Sequence, residues 1–375
     1  MIPRLYADGI TTAPGNTPED AEKELRDTIS CIVEREINGI YELTMTYPVT
    51  GVHYDEIVLR SLLYVVAEDA GARQLFRIYR ISKPLRGIVT INARHISYDL
   101  AGYVREPFTS STLSGTLAVL TNDTYPASCP FTFTTSLSKN GVYTLVKPSG
   151  LWSIMGGMDG SLLDKWHGLE YDFNNFTVSV KSSLGGSHGV TIEYGKNLMQ
   201  LLQEENSGDL YTGIVPYYYT EDDGLVTTAA PVDASTIWPF DYYKAVDLTD
   251  RFTSVPTSVE LEAAAQTYIT NNNIGEILLS LDVDFVPLFQ TEEYSGDLTE
   301  RVALGDTVTV VFTALGVSAT ARAVAYVYDC IRERYKKITI GQAKPDMGQV
   351  IQGMINNSSA TVKGSDYPNA RGVDF

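Results

Sequence analysis

The segment Ile192-Glu193-Tyr194-Gly195-Lys196-Asn197-Leu198 is the first to suggest chemistry. A Gly-Lys pair behind an apolar strand is half of a phosphate-binding loop, whose backbone amides wrap the phosphates while a following hydroxyl meets magnesium. The other half is missing. Five residues, not four, separate Gly189 from Gly195, and Asn197 takes the place of the hydroxyl. Two carboxylate pairs come next. Glu170 and Asp172 share a strand face, at the separation where a glycosidase places acid and base or nucleophile. Asp282 and Asp284 share another and have the oxygen ligands a divalent cation takes. Nothing else in the chain supports the first pair, and the second lies in the most acidic region, where a solvated strand face is the simpler reading.

The four histidines, His53, His95, His167 and His188, never pair at metal-ligand spacing. No HExxH pattern occurs. Cys31, Cys129 and Cys330 are odd in number, far apart and without a C-x-x-C, so they read as small buried apolar residues. Asn-x-Ser/Thr occurs at Asn122, Asn175 and Asn357, as chance matches in a chain whose N-terminus lacks a signal-peptide core. The residues thus assign no catalytic group, cofactor or metal, and an enzyme is not expected. Tyrosine is abundant, with clusters at Tyr217–Tyr219 and at Tyr242 and Tyr243. It suits half-wet interfaces and exposed strands equally.

The 375 residues suffice for two or more domains, and 44% hydrophobic content indicates a folded chain. No apolar run reaches bilayer-spanning length. Together with the N-terminus this predicts synthesis and assembly in the cytoplasm of the producing cell. The net charge is -18. Residues 201–300 hold 19 acidic side chains against Lys244 and Arg251, a balance of -17. Such a surface repels nucleic acid. It serves solubility, or forms a wall past which DNA slides.

The elements that must position these residues are mostly strands. Thr17-Pro18 predicts a short helix to about Leu25. Asn38-Gly39, between alternating runs at Thr28–Glu36 and Ile40–Tyr47, predicts a hairpin with positive φ at both turn residues. Further strands are expected near Arg73–Ile81 and Gly87–His95. Residues 104–186 read as an α+β insertion, with helices at Ser114–Leu120 and Gly150–Trp166 and a hairpin around Asn174-Asn175. Strands return at Val190–Tyr194, Gly213–Thr220, Arg301–Val311 and Ala319–Tyr328. A capping box at Thr257 and Glu260 starts a helix, followed by a strand at Glu276–Val286. The fold class is mainly β with α+β insertions. The domains are 1–103, then 104–186, then 187–248 with 291–346, with 249–290 as a small inserted α/β unit and 347–375 as a polar tail.

Six segments, in order, form a family pattern: Asn38-Gly39-Ile40-Tyr41-Glu42-Leu43 with Tyr47-Pro48; Gln74-Leu75-Phe76-Arg77-Ile78; Ala93-Arg94-His95-Ile96-Ser97-Tyr98-Asp99-Leu100; Gly160-Ser161-Leu162-Leu163 leading to Glu170 and Asn175; Tyr194-Gly195-Lys196-Asn197-Leu198; and Leu304-Gly305-Asp306-Thr307-Val308. Through them the chain resembles the N-terminal hub region of phage and prophage tail-associated proteins, the "prophage endopeptidase tail" family. The resemblance implies a homotrimeric baseplate hub at the virion tail tip, with two tube-like antiparallel β-barrel domains and two smaller peripheral domains per subunit. Two similar domains in each of three subunits would match a sixfold tube. The implied partners are a distal tail protein ring, the tape-measure protein, a tail fibre or tip protein, and DNA in passage, with no membrane anchor. Many relatives continue into a peptidoglycan-cleaving or host-binding domain. This chain ends soon after the hub pattern, so neither activity is carried over, and a tail lysin or a carbohydrate-binding adhesin stands as the alternative.

Overall fold

The computed structural model describes residues 1–15, 23–69, 71–83, 87–158, 160–166, 168–193, 198–207, 210–234, 238–252, 254–272, 274–275, 278–285, 302–312 and 317–341. The Gly195-Lys196-Asn197 turn, His167, Asn357 and the predicted tail at 347–375 lie outside them.

The N-terminal region is built from β1 (Arg4–Tyr6), β2 (Lys23–Glu24), β3 (Ser30–Glu36), β4 (Tyr41–Pro48), β5 (Leu62–Val66), β6 (Arg73–Ser82) and β7 (Ile88–His95). In β3 and β4 buried and exposed residues alternate, the period of two that puts one face on a core. The hairpin forms where Asn38-Gly39 predicts it, but only Asn38 takes positive φ, at 53°. Most of the helix expected from Thr17 lies outside the described residues. Its last part is extended instead: Lys23 and Glu24 pair with Leu5 and Arg4, and Leu25 is fully buried. Burial of that leucine stabilises the fold by about 1.5–3 kcal/mol and overrides local helix propensity.

Residues 104–186 form a unit of short elements: β8 (Val104–Arg105), β9 (Phe108–Thr112), α1 (Leu113–Val119), β10 (Thr124–Tyr125), β11 (Thr132–Thr135), β12 (Asn140–Leu145), β13 (Ser149–Gly150), α2 (Leu162–Lys165), β14 (Glu170–Asn174) and β15 (Thr177–Lys181). The hairpin expected around Asn174-Asn175 is β14–β15. The helix expected from Gly150 to Trp166 is broken. Gly156 leaves helical geometry at φ −174°, and only the last turn, α2, is a regular α-helix, started by a Ser161–Asp164 capping box.

The remaining elements are β16 (Ser187–Glu193), β17 (Leu198–Asn206), β18 (Gly213–Thr220), β19 (Gly224–Thr227), β20 (Val232–Asp233), β21 (Tyr243–Asp247), α3 (Ser258–Asn271), β22 (Leu278–Phe285), β23 (Thr307–Phe312), β24 (Val317–Asp329) and β25 (Arg334–Gly341). The chain is mainly β, as expected. The two β regions share one 13-stranded sheet of order β17-β22-β25-β24-β3-β4-β7-β6-β5-β1-β2, with β16 and β23 branching from β24. The junction is β24. Its first half pairs with β23 from Thr307↔Arg322 to Phe312↔Val317, and its second half with β3 from Ala325↔Glu36 to Asp329↔Ile32. One long strand therefore carries backbone hydrogen bonds from both regions. One hydrophobic cluster runs through both regions and the 104–186 unit, from Leu5 to Ile340.

A second core stands apart. Ile214, Tyr218, Val232, Val246 and Leu248 from a four-stranded sheet pack on Leu261, Ala265 and Ile269 of α3. The α3 capping box at Thr257 and Glu260 is present as expected. The unit's extent differs from the expected 249–290. Gly213–Thr220 belongs to it and not to the large sheet, because its inward side chains meet α3. Leu278–Phe285 belongs to the large sheet, paired with β17. The interruption therefore falls between Asn206 and Leu278, which are themselves ladder partners.

Candidate functional site

Several of the polar and charged side chains singled out in the sequence converge on one seam, where the 104–186 unit meets the large sheet. Two asparagines close it from opposite sides. Asn38, in the β3–β4 turn, donates through Nδ2 to the Leu169 carbonyl at 2.8 Å and accepts through Oδ1 from the Tyr171 N–H at 2.9 Å. Asn175, in the β14–β15 turn, accepts from the Leu75 N–H at 2.9 Å and donates to the Arg73 carbonyl at 3.0 Å. Each side chain thus satisfies backbone groups of the other unit, as a neighbouring strand would. Both residues sit at positive φ, 53° and 49°, a region asparagine tolerates better than most residues, and both are buried.

Behind Asn175 lies His95, fully buried. Its Nδ1 accepts from the Ser97 N–H at 3.2 Å, so Nε2 carries the proton and donates to Gln74 Oε1 at 3.1 Å. The same Gln74 oxygen accepts from the Asn175 N–H at 2.8 Å. The imidazole stacks on Tyr41 at 4.2 Å and contacts Phe76 and Phe173. Burial, then the Arg35 charge, holds its pKa well below the usual histidine value. This is a neutral structural histidine with both nitrogens engaged.

The carboxylate pair Glu170 and Asp172 lies on the face of β14 that meets the sheet, while Tyr171 and Phe173 point into the unit's core. Glu170 makes a two-pronged ion pair with Arg322 of β24, at 2.7 and 3.0 Å, and accepts from the Leu184 N–H at 2.6 Å. Asp172 accepts from Arg35 of β3 at 3.0 Å and from Lys181 at 2.8 Å. Burial would raise the Asp172 pKa, but Lys181 and Arg35 outweigh it and hold the carboxyl below its ordinary value. Arg35 also reaches Glu68 at 3.4 Å and lies over the Tyr41 ring at 4.7 Å. Two carboxylates, each committed to arginine, suit anchoring.

The Leu304-Gly305-Asp306 segment completes the seam. Gly305 has φ 89°, and a Cβ there would lie 2.3 Å from the Leu184 carbonyl oxygen. Asp306, buried, accepts from the Gly186 and Ala303 N–H groups at 2.8 and 2.7 Å. The chain leaving β15 is thereby pinned to the turn before β23.

The other candidates disperse. His53 pairs with Glu56 at 2.8 Å and His188 approaches Asp306 at 3.5 Å. Asp282 and Asp284 stand opposite Leu202 and Gln200 in the ladder, with their side chains outside the described part. Among the described residues no three His, Cys, Asp or Glu side chains group to hold a metal, and no helix is long and apolar enough to cross a membrane. Tyr218 is buried and donates to Asp223 at 2.9 Å, while Tyr219 and Tyr242 are more than half exposed. The asparagine clasps went unread in the sequence. Turn chemistry marked both positions, but nothing in a turn motif says where its side chain points.

No protein-family model and no curated protein matches the sequence. Solved structures do. Prophage tail protein gp18 from Listeria monocytogenes EGD-e aligns with a TM-score of 0.60 and 16% identity, over 96% of this chain and 100% of its own. The prophage MuSo2 43 kDa tail protein from Shewanella oneidensis gives 0.61 and 11%, over 92% and 99%. The tail protein from Neisseria meningitidis MC58 gives 0.59 and 11%, over 92% and 98%. The fold is that of prophage tail proteins, the class the sequence segments resemble.

Proposed function

We propose that this chain is a structural hub of a phage tail tip: three copies form a ring that closes the distal end of the tail tube and lets DNA through during infection. The observation that carries this reading is the fold match to prophage tail proteins over nearly the whole of both chains. The seam supports it, since its charged and polar groups are spent on holding units together. In this reading the two β regions close into two tube-like barrels, and β24 couples them. The 104–186 unit and the α3 unit lie at the periphery. A distal tail protein ring, the tape-measure protein and a fibre or tip protein are the neighbours. Residues 207–277 carry 11 acidic and two basic side chains. Where this unit borders the channel, that surface keeps DNA from adhering.

Imaging of the assembled particle tip, with light scattering of the purified chain, tests the proposal. Threefold density for this chain at the distal tube end is expected. A monomer at all concentrations, with no threefold copy in particles, would sink it. In the lysin alternative Glu170 and Asp172 would have to act out of their ion pairs with Arg322 and Arg35; a cell-wall zymogram of the pure chain should show no clearing.

A further inference from the structure

Cys31 and Cys330 stand nearly three hundred residues apart in the chain, yet the fold sets them side by side. The β3–β24 ladder runs to Ile32↔Asp329, and one step further the Cys330 N–H donates to the Cys31 carbonyl at 2.9 Å. Opposed antiparallel residues hold their Cα atoms about 4.5–5.5 Å apart, inside the range of about 4.4–6.8 Å that disulfides span. Both side chains are buried, at 0% and 1% exposure. Cys129, by contrast, is half-buried in the 104–186 unit. The N-terminus covers the pair: the Met1 ammonium donates to the Cys330 and Ile331 carbonyls at 3.0 and 3.1 Å and pairs with Glu333 at 2.7 Å.

We propose that Cys31 and Cys330 are a latent disulfide, closed after folding, that ties the first β region covalently to the second. Closure breaks two S–H bonds and forms one S–S bond. The two electrons and two protons pass to a low-molecular-weight disulfide, which leaves as two thiols. Fraying of the first residues gives such an oxidant its route. The neighbouring Cys330 thiol, and then burial, hold the Cys31 thiol well above its ordinary pKa, so closure is slow at neutral pH and quickens as pH rises. The loop enclosed spans most of the chain, which places the stabilisation from closure at the high end for a single bridge.

The test oxidises the folded, full-length chain with glutathione disulfide at alkaline pH. The chain is then unfolded, its free thiols are alkylated, and its peptides are mapped. The expected result is one linked pair joining Cys31 to Cys330, an alkylated Cys129 and a raised unfolding midpoint. Cys31→Ala and Cys330→Ala each abolish the link, and Cys129→Ala leaves it. Three alkylated cysteines after prolonged oxidation overturn the proposal, as does linkage only through Cys129 or between chains. If either variant fails to fold, the peptide map of the unsubstituted chain decides.

Discussion

At the scale of single residues, Asn175 and His95 make opposite kinds of demand. Asn175 must supply both an amide side chain and a left-handed backbone, and the two can be separated. Asn175→Gly keeps the backbone and removes the hydrogen bonds. Asn175→Ala removes the bonds and strains the backbone as well. Leaving the Leu75 N–H and Arg73 carbonyl unpaired costs about 2–4 kcal/mol in either variant, with Ala the worse by about 1 kcal/mol. Urea titration measures both, and equal losses for the two would remove backbone strain from the account. His95 demands neutrality. Its folded pKa lies below its unfolded one, so the unfolded chain binds the extra proton. Stability is therefore full above the ordinary histidine range and falls as pH drops below about 6.5, by at most about 1.4 kcal/mol per pH unit for one group. Stability curves of the parent and His95→Gln should run parallel above that pH and converge as pH falls below it; curves parallel throughout would contradict the assignment. These roles were only partly legible in the sequence. Asn38-Gly39 and Asn174-Asn175 announced turns, because positive φ is a local property. Their partners at Leu169, Tyr171, Arg73 and Leu75 are set by packing between distant segments, for which no local pattern exists.

At the scale of elements, the close approach of Gly305 to Leu184 makes the turn before β23 intolerant of any side chain. Gly305→Ala adds a Cβ against backbone in a left-handed residue, at a cost of about 2 kcal/mol or more. Thermal unfolding should show the loss, and hydrogen exchange should rise first at 184–186 and 303–307. An exchange increase confined to another region would refute the pinning role. Strand identity was the most legible feature at this scale: β3, β4, β6, β7, β14 and β15 follow their alternation or turn signals. Glycine-rich 150–166 and the segment before Leu25 were misread, because tertiary burial and glycine geometry overrode local propensity. The strand at Gly213–Thr220 was seen but placed in the wrong sheet. An alternating strand says which face is buried and not against what.

At the scale of the whole molecule, the two hydrophobic clusters predict two cooperative units. Calorimetry should resolve a transition for the α3 unit separate from that of the large sheet, and Leu261→Ala should move only the first; a single shared transition would argue against independence. Since Asn206 and Leu278 pair, replacing 207–277 by a two-residue Asn-Gly turn should give a chain that folds, with β17 and β22 joined as a simple hairpin. An insoluble or unfolded product would show that the sheet depends on the unit. The fold class was legible from composition and alternation, and the resemblance through six short segments anticipated the fold match. The single sheet shared by two distant regions was not, since nothing local to β24 reports that its two halves take different partners. The paired ends at Asn206 and Leu278 also bear on ancestry. A segment that leaves and re-enters a ladder at facing residues can be traded between lineages without altering the register around it. Relatives of this chain should therefore keep the sheet and the asparagine seam while differing most in what, if anything, they carry at that one gap.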